Sequence, residues 1–198
     1  MKKSLIRKIT AGLGAVMIMG TLAACSGGTD QDTIVVGGKD FTEQDILVQL
    51  VSEVIEAKTD LSVERKPYLG GSSVVASSME SGDVDIMVEY TGTGLMSVLG
   101  MEAMNDPAEV LTTVREGYAE KYDIKWLEPL GFNNTFAITM RREMAEEMGI
   151  TKLSDLTPHA PDFSFASTQE FLERVDGYEA LKPFYDLEFG DVKGMDPG

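Results

Sequence analysis

The sequence predicts an α/β fold built on a mainly parallel sheet. Two observations lead there. Short apolar runs alternate with helix-period segments along the chain, and Gly or polar turn residues separate them. The composition is that of an ordinary globular protein, 43% hydrophobic and 25% charged, and 198 residues suit one domain or two small lobes.

Taken in order, Thr33 to Gly37 (TIVVG) is an apolar run ending in glycines and predicts a buried strand. Thr42-Glu-Gln-Asp45 has capping-box-like spacing and predicts a helix start. Ile46, Leu47, Leu50, Val51, Val54 and Ile55 then recur at helical spacing as one apolar face. Leu61 to Lys66 reads as a second strand, Gly70-Gly71-Ser72-Ser73 as the start of a helix to Ser81, and Val84 to Val88 as a third strand. Asp106-Pro107 is a helix start, and Val110, Leu111, Val114 and Tyr118 share one side of the helix that runs to Tyr122. Ile124 to Leu127, Thr135 to Met140 and Phe163 to Ala166 are further strand candidates. Arg141 to Met148 is a helix closed by Gly149, with Met144 and Met148 as a core stripe, and Thr168 to Arg174 and Tyr178 to Tyr185 are helical.

Charge and composition exclude several function classes. The chain carries 33 acidic and 17 basic side chains, a net charge of −16, which lacks the basic footprint of nucleic-acid binding. A single cysteine excludes an internal disulfide and a multi-Cys metal cluster. The lone His159 sits in a proline-rich loop, and acid pairs such as Asp83/Asp85 and Glu146/Glu147 read as solvated faces rather than as an acid/base pair. GGKDFT lacks the spacing of a phosphate-binding loop. An envelope enzyme is thus the weaker alternative. No cofactor is expected.

Residues 1–24 have a basic start with Lys2, Lys3, Arg7 and Lys8, then an apolar stretch, then small residues. This is the pattern of a secretory signal. Leu22-Ala23-Ala24-Cys25 resembles a bacterial lipobox, in which Cys25 is lipidated and becomes the new N-terminus. An ordinary secretory signal or an uncleaved anchor are the other readings of these residues. Residues 25–32 read as a tether. Without residues 1–24 the charge falls to −20, so lipid rather than surface electrostatics would provide the attachment.

In parallel sheets ligands sit at the carboxyl ends of strands. Three motifs fall there: Gly37-Gly38-Lys39, Glu89-Tyr90-Thr91-Gly92-Thr93, and Gly131-Phe-Asn-Asn-Thr-Phe136. With YLGGSS and the stretch from FLERVDGYEALKPFY to FGDVKGMDPG, they run in order from about Ile34 to Gly198. Together they resemble the substrate-binding proteins of ABC importers for quaternary ammonium osmoprotectants, the glycine betaine, proline betaine, carnitine and choline receptors. The resemblance implies a two-lobed periplasmic-binding-protein fold (type II-like), with a first lobe over 33–130 and a partial second lobe over 131–198. Family members continue beyond the stretch matched here. The sequence is therefore expected to be a fragment or truncated product with an incomplete second lobe and exposed apolar surface.

A quaternary ammonium has no N–H, so ring faces hold it, while a betaine carboxylate needs basic and hydroxyl donors. The resemblance implies Tyr90 and Phe136 as cage rings, with Phe136 where the family usually has tyrosine, and Asn134 at the ammonium rim. It implies Lys39, Thr93 and Arg174 at the carboxylate. By charge, Lys39 favours a zwitterion over choline. From the residues alone, Tyr90 and Phe136 also read as core rings, Lys39 and Arg174 as solvated charges, Thr93 as a helix N-cap and Asn134 as a turn residue. The implied partners are the small ligand, a membrane permease complex, and the membrane itself through lipid on Cys25. A same-fold receptor for another solute, such as an amino acid or organic anion, remains the alternative. Trp126 reads as core or interlobe packing.

Overall fold

The computed structural model describes residues 33–196. The expected signal segment, the tether and Cys25 lie outside the described residues. Strand β1 (Thr33–Gly37) is the centre of a three-stranded sheet, flanked by β2 (Ser62–Lys66) and β3 (Ile86–Met87) in the order β2-β1-β3. Both pairings are parallel, with Thr33 opposite Ser62 and Val36 opposite Ile86. A second parallel pair joins β4 (Ser164–Thr168) and β5 (Asp191–Met195).

Helix α1 (Thr42–Lys58) makes the crossover from β1 to β2. Its N-cap is Phe41, with no side-chain cap bond, one residue before the Thr42 cap expected from the sequence. Its inward face is Gln44, Leu47, Val48 and Ser52, while Ile46, Leu50 and Val54 are exposed. The apolar stripe read from periodicity is therefore rotated, with half of it facing away from the sheet. Helix α2 (Ser72–Ser81) ends on Gly82 at φ 80°, which a residue without Cβ adopts without strain. Strand β3 is shorter than the predicted run: the Asp85 N–H still donates to Val35 O at 2.9 Å, but the Asp85 carboxylate accepts the Val35 N–H at 2.7 Å in place of a backbone carbonyl.

After β3, a short helix α3 (Thr91–Thr93) widens into a π turn at Gly94–Val98. Helix α4 (Pro107–Tyr122) follows, and the Asp106 carboxylate caps it through Ala108 N and Glu109 N. Val110, Val114 and Tyr118 of α4 bury against Leu95, with Ile124 and Trp126 packed on the same cluster. Trp126 meets Tyr118 edge-on at 5.2 Å, as expected of a packing residue.

Helices α5 (Arg142–Met148), α6 (Leu153–Leu156), a 3-10 turn (Thr157–Asp162), α7 (Gln169–Glu173) and α8 (Tyr178–Tyr185) complete the described chain. Leu156, Ala160 and Leu187 form a second core cluster. No residue of α5 is fully buried, so Met144 and Met148 are not a core stripe. The predicted strands at 124–127 and 135–140 do not form: both stretches lack a neighbouring strand among the described residues, and an isolated extended segment has no ladder to join. Strand β5 was not foreseen, because DVKGM has no apolar run. Among the described residues no helix is long and apolar enough to cross a membrane.

Candidate functional site

The loop after β1 turns Lys39 inward. It is 2% exposed, and Nζ lies 2.6 Å from Glu89 Oε1 and donates to Ser72 Oγ at 3.1 Å. Gln44 accepts the Lys39 N–H, which ties the loop to the first turn of α1. Lys39 is therefore not a solvated surface lysine. Nor is it a free positive charge, as the sequence suggested, because a buried carboxylate already pairs it.

Tyr90 is half-buried at the N-cap of α3, just after β3. The Lys39 ammonium stands 4.7 Å from the centre of its ring and 5.9 Å from that of Phe41, and the two rings stack at 6.3 Å. The Tyr90 hydroxyl donates to Glu43 and accepts from Gln44 Nε2 at 3.1 Å. Burial, together with the adjacent Glu43, pushes the Tyr90 hydroxyl up to about 12. Tyr90 is thus fixed at its edge by polar partners and is more than a packing ring. Asn134 reaches the same carboxylate, donating to Glu43 at 2.9 Å.

Thr93 and Arg174 meet directly. Arg174 Nη1 donates to Thr93 Oγ1 at 3.1 Å, and the side chain is only 5% exposed. Arg174 ends α7 in extended backbone, and Asp176 grips it with two bonds of 2.8 Å. A solvated helix arginine is excluded. Thr93 is the last residue of α3 and not its N-cap, which is Tyr90. The Arg174 guanidinium also lies 5.1 Å from the Phe136 ring, and Phe136 packs on Phe171 at 4.9 Å. Phe136 remains 53% exposed, which is not the burial of a core ring.

Glu170 links these groups. Its carboxylate accepts from Ser72 Oγ at 2.6 Å, beside the Lys39 contact, and lies 3.6 Å from Arg174 Nη1. The six predicted residues therefore form one connected cluster: Lys39 touches Tyr90, Ser72 and Glu170 join Lys39 to Arg174, and Arg174 touches Thr93 and Phe136. Asn134 joins through Glu43. Sequence reasoning missed the acidic partners Glu43, Glu89, Glu170 and Asp176, and the ring of Phe41. Glu89 and Phe41 lay inside quoted motifs, but nothing in a linear pattern shows which acids point inward. A surface groove of about 520 Å³ lies elsewhere, between α4 and residues 123–128, and holds none of these residues. His159 sits in the 3-10 turn, on a different element from every residue of the cluster. Among the described residues no group of His, Cys, Asp and Glu could hold a metal ion.

Known proteins carry the same arrangement of sequence. Residues 32–197 match the family described as the substrate binding domain of the ABC-type glycine betaine transport system, OpuAC. The chain is 35% identical over 183 residues to the carnitine transport binding protein OpuCC of Listeria monocytogenes, covering 89% of this chain and 59% of that protein. It is 34% identical over 178 residues to the glycine-betaine-binding protein of Pseudomonas aeruginosa, covering 84% of this chain and 56% of that one. The crystal structure of a glycine betaine/carnitine/choline ABC transporter superposes with a TM-score of 0.60 at 26% identity, over 83% of this chain and 61% of that chain. The chain therefore spans less than two thirds of the relatives it matches. Its fold is that of the periplasmic binding proteins, and the family is one of transport substrate-binding domains rather than enzymes. The chain belongs to the OpuAC substrate-binding family.

Proposed function

We propose that this chain is the solute-binding component of an ABC importer for quaternary ammonium osmoprotectants of the glycine betaine or proline betaine type. The observation that carries the reading is the single cluster joining Tyr90, Lys39, Thr93, Arg174 and Phe136 in a chain of this family. Ring faces at Tyr90 and Phe136 suit a methylated cation, each contributing about 0.5 to 2 kcal/mol. The carboxylate end goes to the Thr93 and Arg174 side, Lys39 being already paired with Glu89, and Asn134 lies at the ammonium rim. The ligand lies between a lobe over 33–130 and a lobe over 131–198, and the Ser72–Glu170 and Thr93–Arg174 bonds join these two stretches. The protein works outside the cytoplasmic membrane, held by lipid on Cys25, and delivers its ligand to a permease complex.

Isothermal titration of the chain with glycine betaine, proline betaine, carnitine and choline tests the proposal. Saturable binding of at least one is expected. No heat with any of the four at millimolar concentration would remove it. A receptor for another small solute is the second reading, favoured by Phe136, which lacks the hydroxyl that a tyrosine would offer. Quenching or a shift of Trp126 fluorescence with amino acids or organic anions, and not with ammonium compounds, would select it.

A further inference from the structure

Glu89 is buried where a carboxylate is costly. Its side chain is 6% exposed. Oε1 meets Lys39 Nζ at 2.6 Å and accepts the Tyr90 N–H at 2.8 Å. Oε2 is buried with no hydrogen-bond partner among the described residues. Burial pushes the Glu89 carboxyl above the ordinary glutamate range, against the pull of Lys39. A glutamine of the same shape would serve both bonds of Oε1 but would leave the Lys39 ammonium, itself 2% exposed, without a counter-charge. Hydrogen bonding alone therefore does not explain the acid.

Its effect on charge does. The Lys39 ammonium lies against the Tyr90 ring, 4.7 Å from its centre, so a ligand held by that ring would feel its charge across the ring. Unpaired and shielded from solvent, Lys39 would attract a carboxylate and repel an ammonium strongly. Arg174, the other cation of the cluster, is matched in the same way by Asp176. The ring cluster thus faces two cations that each have a carboxylate of their own, with two further acids, Glu170 beside Arg174 and Glu43 at the Tyr90 hydroxyl.

Building on the proposed function, we propose that Glu89 sets the charge preference of the site: by pairing with Lys39 it cancels the positive charge beside Tyr90, so that a cationic choline-type ligand and a zwitterionic betaine are both accepted. Glu89 acts through Lys39 and is a positioning residue, one that decides specificity.

Titration calorimetry of the chain with glycine betaine and with choline reads this directly, in the wild type, in Glu89→Gln, and in the Lys39→Met/Glu89→Gln pair. The wild type is expected to bind both ligands. Glu89→Gln is expected to raise the betaine-to-choline affinity ratio at least about tenfold, tightening betaine and weakening choline. The double variant removes the buried pair as a unit and leaves no unpaired charge to disturb folding. Its ratio is expected to stay within about threefold of the wild type. A ratio unmoved by Glu89→Gln would overturn the inference, because a structural role lowers both affinities together. A tenfold loss of betaine relative to choline in the double variant would also overturn it, since the Lys39 charge would then reach the ligand despite Glu89. So would a wild type that binds one ligand and ignores the other. A wild type that binds neither these two nor proline betaine or carnitine removes the proposed function itself.

Discussion

The stretches Thr33–Gly37 and 135–140 have similar apolar patterns and different outcomes. The first is hydrogen-bonded on both sides, to β2 and to β3, and Val36 is 1% exposed. The second has no regular secondary structure and no ladder among the described residues, and Phe136 within it stays open to solvent. The stretch 124–127 is intermediate: Ile124 and Trp126 point onto the core of α4 while Leu127 is 67% exposed, a strand-like alternation with no strand beside it. Alternation decides which side chains turn inward. A ladder also needs a partner backbone at about 5 Å, which the local sequence does not encode.

The contrast predicts unequal costs. Leu95→Ala removes a side chain 1% exposed in the first core and is expected to destabilise by about 2 to 5 kcal/mol. Leu127→Ala, on the ladderless stretch, is expected to cost under about 0.5 kcal/mol. Urea unfolding measures both, and equal costs would mean that residues 124–127 are packed as tightly as the core.

The two proposed cage rings sharpen the comparison. Tyr90 is held by Glu43 and Gln44, whereas Phe136 rests on Phe171 with half its surface open. Tyr90→Ala is expected to weaken ligand binding by at least about 1 kcal/mol, and Phe136→Ala by less, about 0.5 kcal/mol. Calorimetry of both variants decides it; an unchanged affinity in Tyr90→Ala would reduce that ring to packing.

The smallest expected effect is a matter of pH. The Tyr90 hydroxyl, pushed up to about 12 in the folded chain, lies above its unfolded value near 10. Its contribution to stability is thus full below pH 10 and fades as pH rises through 12. Absorbance titration of Tyr90→Phe against the wild type should show the loss of one late-ionising tyrosine. Loss of an early one instead would place the Tyr90 hydroxyl in water.

Much of the side-chain cluster was legible from motif order. Lys39, Tyr90 and Thr93 follow strand ends, where parallel sheets collect ligands. Arg174 was legible only through the resemblance, since a helix-end arginine is usually solvated. The acids were not legible at all. Glu43, Glu89, Glu170 and Asp176 are four of 33, and no spacing distinguishes them from acids on solvated faces. The counter-charge of Lys39 was not legible for the same reason: Glu89 is fifty residues away.

By itself the sequence determined the alternation of helix and strand, the ends of α2, α4 and α5 at Gly82, Asp106 and Gly149, and the membership of the family. These depend on neighbours within a few residues, where capping, backbone freedom and apolar period act directly. Only the tertiary structure decided which half of the α1 stripe is buried, which extended segments find a ladder, and which acid neutralises Lys39. Each of those outcomes is a contact between distant parts of the chain, and burial raises the strength of a charge pair only once folding has removed the water around it.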